Sequence, residues 1–401
     1  MPWKKLALTL LLLVVISQLP FAYRRYRLSR LNATIQQLNS QRVPSQVEGD
    51  YIDYKGVIHV HSFLGGHSSG GFQEIILAAK ASNLQFVVMT EHAAKEFNTA
   101  EMTLKGMHGG VLFVNGNEVS TRDGDRLLVI PGAEETGKPA EPSTQSVLEE
   151  AKSRRALAVV AYPQEFKSWA GEGFDAIEVY NIFTNTRQIN SVLMFFDSLW
   201  SSSRYHNLLF ANFYARPAAA LERWDTENRR RKVTGLAGND AHANIGFSLN
   251  DSSGRPILGL KLDPYETSFR LVRVHLLVPR DVPLSEKVVV EGLAMGHCFV
   301  GFDLFGDTSG FSFTATNSAE RRIQGDEITL TGEVQLTVAT PIPGRIVLIH
   351  DGKAIQEEHF AARKEFLVNE KGSYRVEVYL PQLGHRVGQQ PWIISNPIYV
   401  R

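Results

Sequence analysis

"GVIHVHSFLGGHSSGG", from Gly56 to Gly71, carries three of the chain's twelve histidines directly after an apolar run. His59 and His61 lie two residues apart on the expected strand, so both imidazoles face the same side of it. His67 follows in a Gly- and Ser-rich loop that can fold back to the end of the strand. Three histidines at the carboxyl end of a strand predict metal ligation rather than an exposed histidine-rich loop.

Strand-like and helix-like segments alternate from Lys55 to about Phe305. Apolar strand-like runs lie at Val57–Val60, Phe86–Met89, Val111–Val114, Leu127–Ile130, Ala156–Ala161, Ala176–Val179, Val233–Ala237 and Leu271–Val278. Helix-compatible runs lie between several of them, at Phe72–Ser82, Ser143–Arg155, Pro217–Arg231 and Ser285–Met295. The repeated strand–helix unit predicts an α/β fold, and the number of units favours a barrel.

Further residues of metal-ligand type stand at the ends of other predicted strands. "VVMTEH" ends at His92, "LFVNGNEVS" contains Glu118, and "VTGLAGNDAHAN" carries Asp240 and His242, again two residues apart. Barrel enzymes assemble their sites at the carboxyl ends of the strands. If these were ordinary core histidines, that explanation would have to hold separately at each strand end. The pattern instead predicts that the residues together form one metal centre.

The motifs "HVH…H", "TEH", "GNE" and "GNDAH" appear in the order of the PHP (polymerase and histidinol phosphatase) superfamily, which the chain resembles over about residues 55–305. The resemblance implies a distorted (β/α)7 barrel and a metal-dependent phosphoesterase. "LERWDTENRRRKVTGLAGNDAHAN" and the closing "PWIISNPIYV" resemble a branch of the superfamily that has a C-terminal β domain. That branch includes carbamate-hydrolase-like members.

The resemblance also implies the metal ligands, residue by residue. One ion would be held by His59, His61, Glu118 and Asp240, and a second by His67, His92 and His242. An imidazole-rich set with two carboxylates suits Zn, Mn or Fe better than Mg or Ca. Two such ions would lower the pKa of a shared water, and the resulting hydroxide would hydrolyse a phosphate ester, with Asp240 or the water itself handling the proton.

Two positions depart from the family pattern. The histidine that normally follows the glutamate by some eight residues is Arg126 here, and the histidine that normally precedes a proline is Tyr162. Arg is not deprotonated in proteins and Tyr is a poor substitute for imidazole, so we expect the family's third metal to be missing. Arg126 either orients an anionic group such as phosphate, as a catalytic residue, or pairs with Asp123 or Asp125 in a degenerating site.

Other polar residues near predicted strands carry smaller hypotheses. Glu178 and Asn181 end a strand near the site and either contact substrate or serve a structural role. Asp225 is expected to form a helix or loop contact rather than to act in catalysis. His275 and His297 lie in apolar context, which favours core or surface histidines over ligands.

The tail of the chain changes character at about Ser309. "FSFTATN", "ITLTGEVQLTVAT", "GRIVLIHDGKAIQ" and "GSYRVEVYLP" alternate apolar and polar residues, with Gly or Pro turns between them. Asp351-Gly352 between two such runs is a strong hairpin signal. Residues 309–401 are therefore predicted to form a small antiparallel β-sandwich that serves as an accessory domain.

The first residues of the chain combine two lysines with an apolar stretch from Leu6 to Ile16. The stretch is short for a membrane span and its cleavage signal is poor, so residues 1–23 are predicted to be an uncleaved signal anchor, with a cleaved signal peptide as the alternative. Residues 24–54 are interpreted as a tether. The arginines after the stretch favour a cytoplasmic body by charge alone, but relatives of the resembled branch favour an extracytoplasmic (periplasmic) location.

The composition argues against only a few classes of function. A formal net charge of zero argues against a nucleic-acid surface, and the lone Cys298 excludes a disulfide framework or a cysteine-rich zinc site. The sequence therefore predicts a membrane-anchored, metal-dependent phosphoesterase that acts on a small phosphate ester or a related anionic substrate. Two alternatives stay open: a carbamate or ester metallohydrolase, and a non-catalytic, degenerate barrel that acts as a binding module.

Overall fold

The structure is a computed structural model, and it describes residues 2–43, 50–66, 68–93, 97–133, 141–171, 173–186, 190–243, 246–250, 256–261 and 264–401. It has a mixed α/β fold with a large mixed sheet of twenty strands and one long apolar helix near the N-terminus. The helices are α1 (Pro2–Ser40), α2 (Phe72–Ala81), α3 (Thr99–Met102), α4 (Thr144–Arg154), α5 (Ile182–Thr186), α6 (Ser191–Tyr205), α7 (Ala218–Asn228), α8 (Tyr265–Leu271), α9 (Glu286–Met295) and α10 (Gly384–Val387).

The strands divide between an N-terminal part, in which they alternate with helices, and a C-terminal part that consists almost entirely of strands. The first group is β1 (Tyr51–Val60), β2 (Phe86–Met89), β3 (Glu91–His92), β4 (Gly106–His108), β5 (Val111–Val114), β6 (Asn117–Ser120), β7 (Arg126–Ile130), β8 (Leu157–Ala161), β9 (Ala176–Asn181), β10 (Thr234–Ala241), β11 (Gly246–Asn250), β12 (Pro256–Lys261), β13 (Arg273–Pro279) and β14 (Cys298–Gly301). The second group is β15 (Ser312–Thr316), β16 (Arg321–Ile323), β17 (Glu327–Ile328), β18 (Val334–His350), β19 (Lys353–Val368), β20 (Gly372–Tyr379), β21 (Pro391–Ser395) and β22 (Ile398–Val400).

Strand pairing in the N-terminal part extends from β1 in two runs, which approach each other where β2 ends at Met89 and β3 begins at Glu91. β1 pairs in parallel with β2, β2 with β5, and β3 with β6. β7 is antiparallel to both of its neighbours, β6 and β8. β8, β9 and β10 then pair in parallel, and β10 returns to β1. The carboxyl ends of the parallel strands therefore meet at one edge, and the antiparallel β7 brings its first residue to that same edge.

The predicted strands and helices of this part are confirmed, because the local signals agree with the packing. Val88, Val114 and Leu128 come from three different strands and are buried in one apolar cluster. Helix α4 begins after Ser143, whose hydroxyl accepts a hydrogen bond from the Ser146 amide, as an N-cap does.

The C-terminal strands are antiparallel apart from the β17–β22 pair, and they include the predicted hairpin. β18 and β19 are joined at Asp351 and Gly352, both of which have positive φ (48° and 85°), as the turn requires. The expected break between two of the apolar runs is absent, because β18 continues through Pro341 and Gly344 with a shift of register against β19. Such a bulge lets a strand accommodate prolines that cannot donate to the ladder.

The C-terminal strands are joined to the N-terminal part by hydrogen bonds and by charge. β14 pairs with β21, so the large sheet continues from one part into the other. The guanidinium of Arg375 on β20, whose side chain is 2% exposed, makes two hydrogen bonds of 2.7 Å to Asp225 on α7. Asp225 thus forms the expected structural contact.

Helix α1 has two halves with different surroundings. Its first half is apolar and exposed, from Leu6 to Leu19, and the helix as a whole, from Trp3 to Ser40, is long and apolar enough to cross a membrane. Its second half buries Leu28, Ile35 and Leu38 in the same apolar cluster as the C-terminal strands. The helix could therefore serve as a signal or an anchor, and its second half is part of the folded body.

Residues 24–54, which were interpreted as a tether, are in part a helix packed against the folded body. Residues up to Ser40 are helical, since the apolar spacing that begins at Leu28 forms the face of α1 that packs against the body. The end of the helix is held by an ion pair of 3.0 Å between Arg42 and Asp307. β1 begins at Tyr51, before the expected boundary after residue 54, because residues 51–56 pair with β13.

His275 on β13 is fully buried between two carboxylates. Its Nδ1 lies 2.8 Å from Asp53 Oδ1, and its Nε2 lies 3.3 Å from Asp303 Oδ1 and 2.9 Å from Thr308 Oγ1. Burial alone lowers the pKa of His275, but Asp53 and Asp303 outweigh it and raise the pKa to about 9. The expectation of a core histidine is confirmed, and His297 is a partly buried histidine paired with Asp326 at 2.8 Å.

The raised pKa of His275 makes stability depend on pH. Because the folded-state pKa lies above the unfolded value of about 6.5, the stabilisation is complete below pH 6.5 and is lost as the pH rises through about 9. We expect this group to lower the free energy of unfolding by about 3 kcal/mol between pH 6.5 and 9.5. Thermal unfolding at several pH values measures the loss, and His275→Gln should flatten it. If stability fell equally steeply with pH in His275→Gln, His275 would not be the group responsible. His359→Gln, a change at an exposed histidine, is the control and should leave the pH dependence as in the parent protein.

Candidate metal centre

The sequence-predicted site residues come together at the edge where the carboxyl ends of the parallel strands meet. His59 and His61 lie at the end of β1, His92 at the end of β3, Glu118 on β6, and Asp240 and His242 at the end of β10. Arg126 reaches the same edge as the first residue of the antiparallel β7, where it lies opposite Ser120 on β6 and Ala161 on β8. His67 lies outside the described residues.

Three imidazoles converge on one carboxylate oxygen, Oε2 of Glu118. The distances to it are 3.2 Å from His59 Nε2, 3.3 Å from His61 Nε2 and 3.5 Å from His92 Nε2. The His61 ring stacks on those of His92 and His242, with centroid distances of 4.6 and 4.3 Å, and the His92 and His242 rings lie 6.2 Å from each other. Asp240 Oδ1 completes the cluster at 3.5 Å from His59 Nε2. One edge of the sheet thus presents four imidazoles and two carboxylates within reach of one another.

The backbone of three site residues adopts a conformation that L-residues rarely take. φ is 63° at His59, 49° at Tyr162 and 48° at Asp240. The pairings of β1 with β2 and with β10 both shift register around His59, which is a bulge. Such residues cost about 1–3 kcal/mol each and cluster at functional sites, where the surrounding structure holds them. The fold therefore keeps these side chains in place at the expense of local stability.

The outer oxygens of the two carboxylates are bound by Arg126 and Tyr162. Arg126 lies 3.2 Å from Glu118 Oε1, and the Tyr162 hydroxyl donates to Asp240 Oδ2 at 2.6 Å. Arg126 thus pairs with Glu118 and not with Asp123 or Asp125, which was one of the two alternatives that the sequence left open. Those two carboxylates instead bind the segments around Thr144 and Ser168. Arg126 thus contacts the cluster of imidazoles and carboxylates through Glu118, and 46% of its side chain is exposed.

Glu178 orients His59 from the side away from the cluster. Its Oε1 lies 2.6 Å from His59 Nδ1, and Asn181 donates to its Oε2 at 3.0 Å. A carboxylate on the second ring nitrogen is how proteins commonly fix a ligating histidine. The sequence left the role of Glu178 open. The sequence feature that relates to it is Gly238, because in the structure a Cβ at this position would lie 1.9 Å from Glu178 Oε1 and would clash with it.

Glu91 lies beside His92 in the chain but belongs to a different network. Its carboxylate accepts hydrogen bonds from the Ser62 amide at 3.0 Å and from the Thr103 hydroxyl at 2.9 Å. Burial raises the pKa of Glu91, and the hydrogen bonds from Ser62 and Thr103 partly offset this effect. Glu91 therefore supports the turn after His61 and contributes no atom to the cluster.

The charges of the cluster are coupled. Burial favours the neutral form of Glu118, but His59 and His61 outweigh it and hold the pKa of Glu118 well below its usual range. Burial lowers the pKa of His61 to about 3, so this imidazole is neutral and has its lone pair free at neutral pH. Burial and the Asp240 carboxylate raise the pKa of Tyr162, so its hydroxyl stays protonated. The carboxylates and His61 are thus in the forms that bind metals. Burial lowers the pKa of His59, but Glu178, Asp240 and Glu118 outweigh it and raise this pKa well above the usual value, so an ion would have to displace the proton of His59.

The residues present fit a metal ion. Both ring nitrogens of His61 and Oδ1 of Asp240 are buried without a hydrogen-bond partner, which is costly unless a ligand satisfies them. Two groups have ligand atoms within 4.8 Å of one another: His59, His61 and Glu118, and His61, His92 and His242. His61 belongs to both groups, whereas the family resemblance implied that it binds the first ion only. A buried His/Glu cluster that could hold a metal ion is therefore confirmed.

Comparisons with known proteins add little to this description. No protein-family model matches the chain, and no curated protein matches it. Among solved structures, the chain is similar to PsfC from Pseudomonas syringae PB-5123, with 13% sequence identity and a TM-score of 0.35. The similarity covers 62% of this chain and 91% of that one. At this TM-score the likeness carries no inference about fold or activity, so any functional conclusion rests on the site itself.

Proposed function

We propose that the protein is a metal-dependent hydrolase of the phosphoesterase type, with the architecture of the PHP superfamily. The observation that carries the proposal is a buried cluster of four imidazoles and two carboxylates, in which three imidazoles lie within 3.5 Å of Glu118 Oε2. Three of its buried ligand-type atoms have no hydrogen-bond partner. The parallel strands on both sides of β1, with β2 followed directly by β3, support a barrel as the scaffold. The antiparallel hairpins after residue 309 support a β-sandwich beside it.

The proposed centre holds two divalent ions, Zn, Mn or Fe, between the six described ligands and His67. Support for two ions rather than three comes from Arg126 and Tyr162, which occupy the outer oxygens of Glu118 and Asp240 as hydrogen-bond donors. A fixed guanidinium charge at that place opposes a third cation. When bound, the ions would supply a more acidic water and would offset negative charge on the reacting phosphate.

The residues of the chain have separate roles in the proposed reaction. Glu178 holds the His59 ring in one orientation, and the protonated Tyr162 holds Asp240 through Oδ2. Oδ1 of Asp240 stays free of hydrogen bonds and is ionised, since His59 and His61 outweigh burial and lower the pKa of the carboxyl. Oδ1 is thus the oxygen through which Asp240 would bind an ion or, where no ion binds it, accept a proton as a general base does.

Substrate approaches from the side of the cluster that is open to solvent. His59 and His61 are at most 1% exposed, whereas the side chains of His92 and His242 are 18% and 17% exposed. Arg126 is the most exposed member of the cluster, and it is the one that carries a permanent positive charge. An anionic phosphate ester therefore meets Arg126 first.

Replacing Arg126 by alanine is expected to raise KM for a phosphate ester by about 10- to 150-fold, because a charged hydrogen bond is worth about 1.5–3 kcal/mol. Metal content should stay as in the parent protein, since Arg126 contributes no ligand atom. Steady-state kinetics with elemental analysis separate the two effects, and Arg122→Ala is the control because Arg122 is exposed and lies outside the cluster. An unchanged KM would remove Arg126 from substrate binding.

The proposed activity is tested with the full chain in detergent, assayed against phosphate monoesters, diesters and a carbamate with added Zn²⁺, Mn²⁺ or Fe²⁺. We expect a phosphate ester to be hydrolysed, the activity to be lost in His61→Ala, and the exposed His359→Ala to keep it. Faster turnover of the carbamate would favour the ester and carbamate class. No turnover of any substrate with any metal would favour a binding module.

The localisation that we propose is an uncleaved anchor with an extracytoplasmic body. The exposed apolar half of α1 supports an anchor by length and composition. A protease added to spheroplasts, in which the outer membrane no longer protects the periplasm, would digest the body in this topology and would spare it if the body were cytoplasmic.

A further inference from the structure

A cavity lined by basic residues lies between the second half of α1 and the segment around α10. Its volume is about 570 Å³. We call it the basic cavity, and its lining residues are Arg27, Leu28, Arg30, Leu31, Thr34, Gln382, Leu383, Gly384, His385, Arg386 and Val387. The lining includes three arginines and one histidine but no Asp or Glu, although the chain as a whole has no net charge.

The arginines of α1 fall into two pairs with different partners. Arg24 and Arg25 hold α1 to α6, the first through an ion pair with Asp197 and the second through the Trp200 carbonyl. Within the described part of the chain, Arg27 and Arg30 have no ion pair, and the same holds for Arg386 on α10. Three exposed guanidinium groups therefore line one cavity without a counter-charge among the described residues, and an anion in the cavity would be attracted by all three.

The surroundings of the basic cavity are those of a lipid surface. The apolar half of α1, which ends about one helical turn before Arg24, is exposed along its length. Helix α6 packs against α1 through Phe21 and Phe196, at 4.9 Å between ring centroids. It exposes an apolar stripe beside the anchor: Val192 is 64% exposed, Phe195 37% and Leu199 66%. The spacing i, i+3, i+7 places these side chains on one face, as in a helix that lies at a membrane interface.

We propose that the basic cavity binds the phosphate of an anionic membrane phospholipid, with the exposed face of α6 resting in the lipid interface beside it. The arginines bind the phosphate oxygens, and Leu31 and Leu383 line the cavity with apolar surface for the glycerol and the first acyl carbons. Such a site fixes the body against the membrane at the base of its anchor. It depends on the anchor and not on the proposed hydrolase activity.

The full chain in a non-ionic detergent tests the site through the rise of its Tm on titration with lipid. The probes are dihexanoyl phosphatidylglycerol, dihexanoyl phosphatidylcholine and inorganic phosphate. We expect the anionic lipid to raise Tm in a saturable way, and phosphatidylcholine and phosphate at the same concentration to have little effect. A full rise with inorganic phosphate alone would assign the cavity to a free anion and would overturn the lipid.

The variant Arg27→Gln/Arg30→Gln/Arg386→Gln should bind the anionic lipid about 100-fold more weakly, since each basic residue near a charged surface contributes about fivefold. A control with the same change of charge on exposed residues outside the cavity, Arg122→Gln/Lys353→Gln/Lys371→Gln, should keep the response. An undiminished response in the cavity variant would overturn the proposal. If that variant does not fold, Arg386→Gln alone, on the short exposed helix α10, should show about a fivefold loss. His61→Ala should respond like the parent, which separates this site from the metal centre.

Discussion

Glu118→Gln is expected to remove most of the bound metal and to lower turnover of a phosphate ester by about 10²–10³-fold. Oε2 of Glu118 is the atom on which His59, His61 and His92 converge, at 3.2–3.5 Å. Glutamine keeps the size of the side chain but removes the charge that a divalent ion and the surrounding imidazoles require. Elemental analysis and single-substrate kinetics on the same preparation measure both effects.

Glu91→Gln is the matched control for this substitution. Glu91 is as buried as Glu118 and is the neighbour of His92, but its oxygens accept hydrogen bonds from Ser62 and Thr103. The amide oxygen of glutamine can accept the same bonds, so metal content and turnover should stay close to those of the parent. Equal loss of metal in both variants would mean that the effect reflects a damaged fold, and normal metal in Glu118→Gln would contradict its role as a ligand.

Asp225→Ala is expected to lower the free energy of unfolding by about 3–5 kcal/mol, because it leaves a buried guanidinium with an incomplete set of partners. Arg375 makes two bonds of 2.7 Å to Asp225 and one of 2.7 Å to Glu377, which in turn binds Arg216. The network joins α7 to β20, so both parts of the chain should lose stability together. Urea denaturation of the full chain, followed by tryptophan fluorescence, measures the change.

Two controls separate the network from a general effect of lost charge. Arg363→Ala removes an exposed pair with Glu365 and should cost no more than about 1 kcal/mol. The double variant Arg375→Met/Asp225→Ala removes both charges and should be more stable than Asp225→Ala, since no unpaired guanidinium remains. If the double variant were less stable by the sum of both single effects, the two residues would act independently and the account of the network would be wrong.

The sequence predicted the local elements well because their signals are local. The apolar runs at residues 86–89 and 111–114 coincide with β2 and β5, and Ser143 marks the start of α4. The hairpin at Asp351-Gly352 follows from two residues that tolerate positive φ. The pairing of β14 with β21 joins residues about 90 positions apart, and no local pattern encodes such a contact.

The candidate site could be predicted as far as its strand ends were recognised. His59, His61, His92, Glu118, Asp240 and His242 all reach one edge, as parallel strands require. The partners of these residues could not be predicted, because they are set by tertiary contacts: Glu178 meets His59 from β9, and Tyr162 meets Asp240 from the end of β8. Helix α6 and its exposed apolar face were missed as well, since an apolar run is ambiguous without its environment.

The most direct test of the proposed metal centre is the metal content of the full chain, purified without chelators and measured by elemental analysis beside His59→Ala/His61→Ala. The account predicts about two equivalents of a transition metal per chain and a loss of metal in the double variant. Three equivalents would mean that Arg126 and Tyr162 do not displace the third ion. No metal, even after reconstitution with Zn²⁺ or Mn²⁺, would contradict the metallohydrolase.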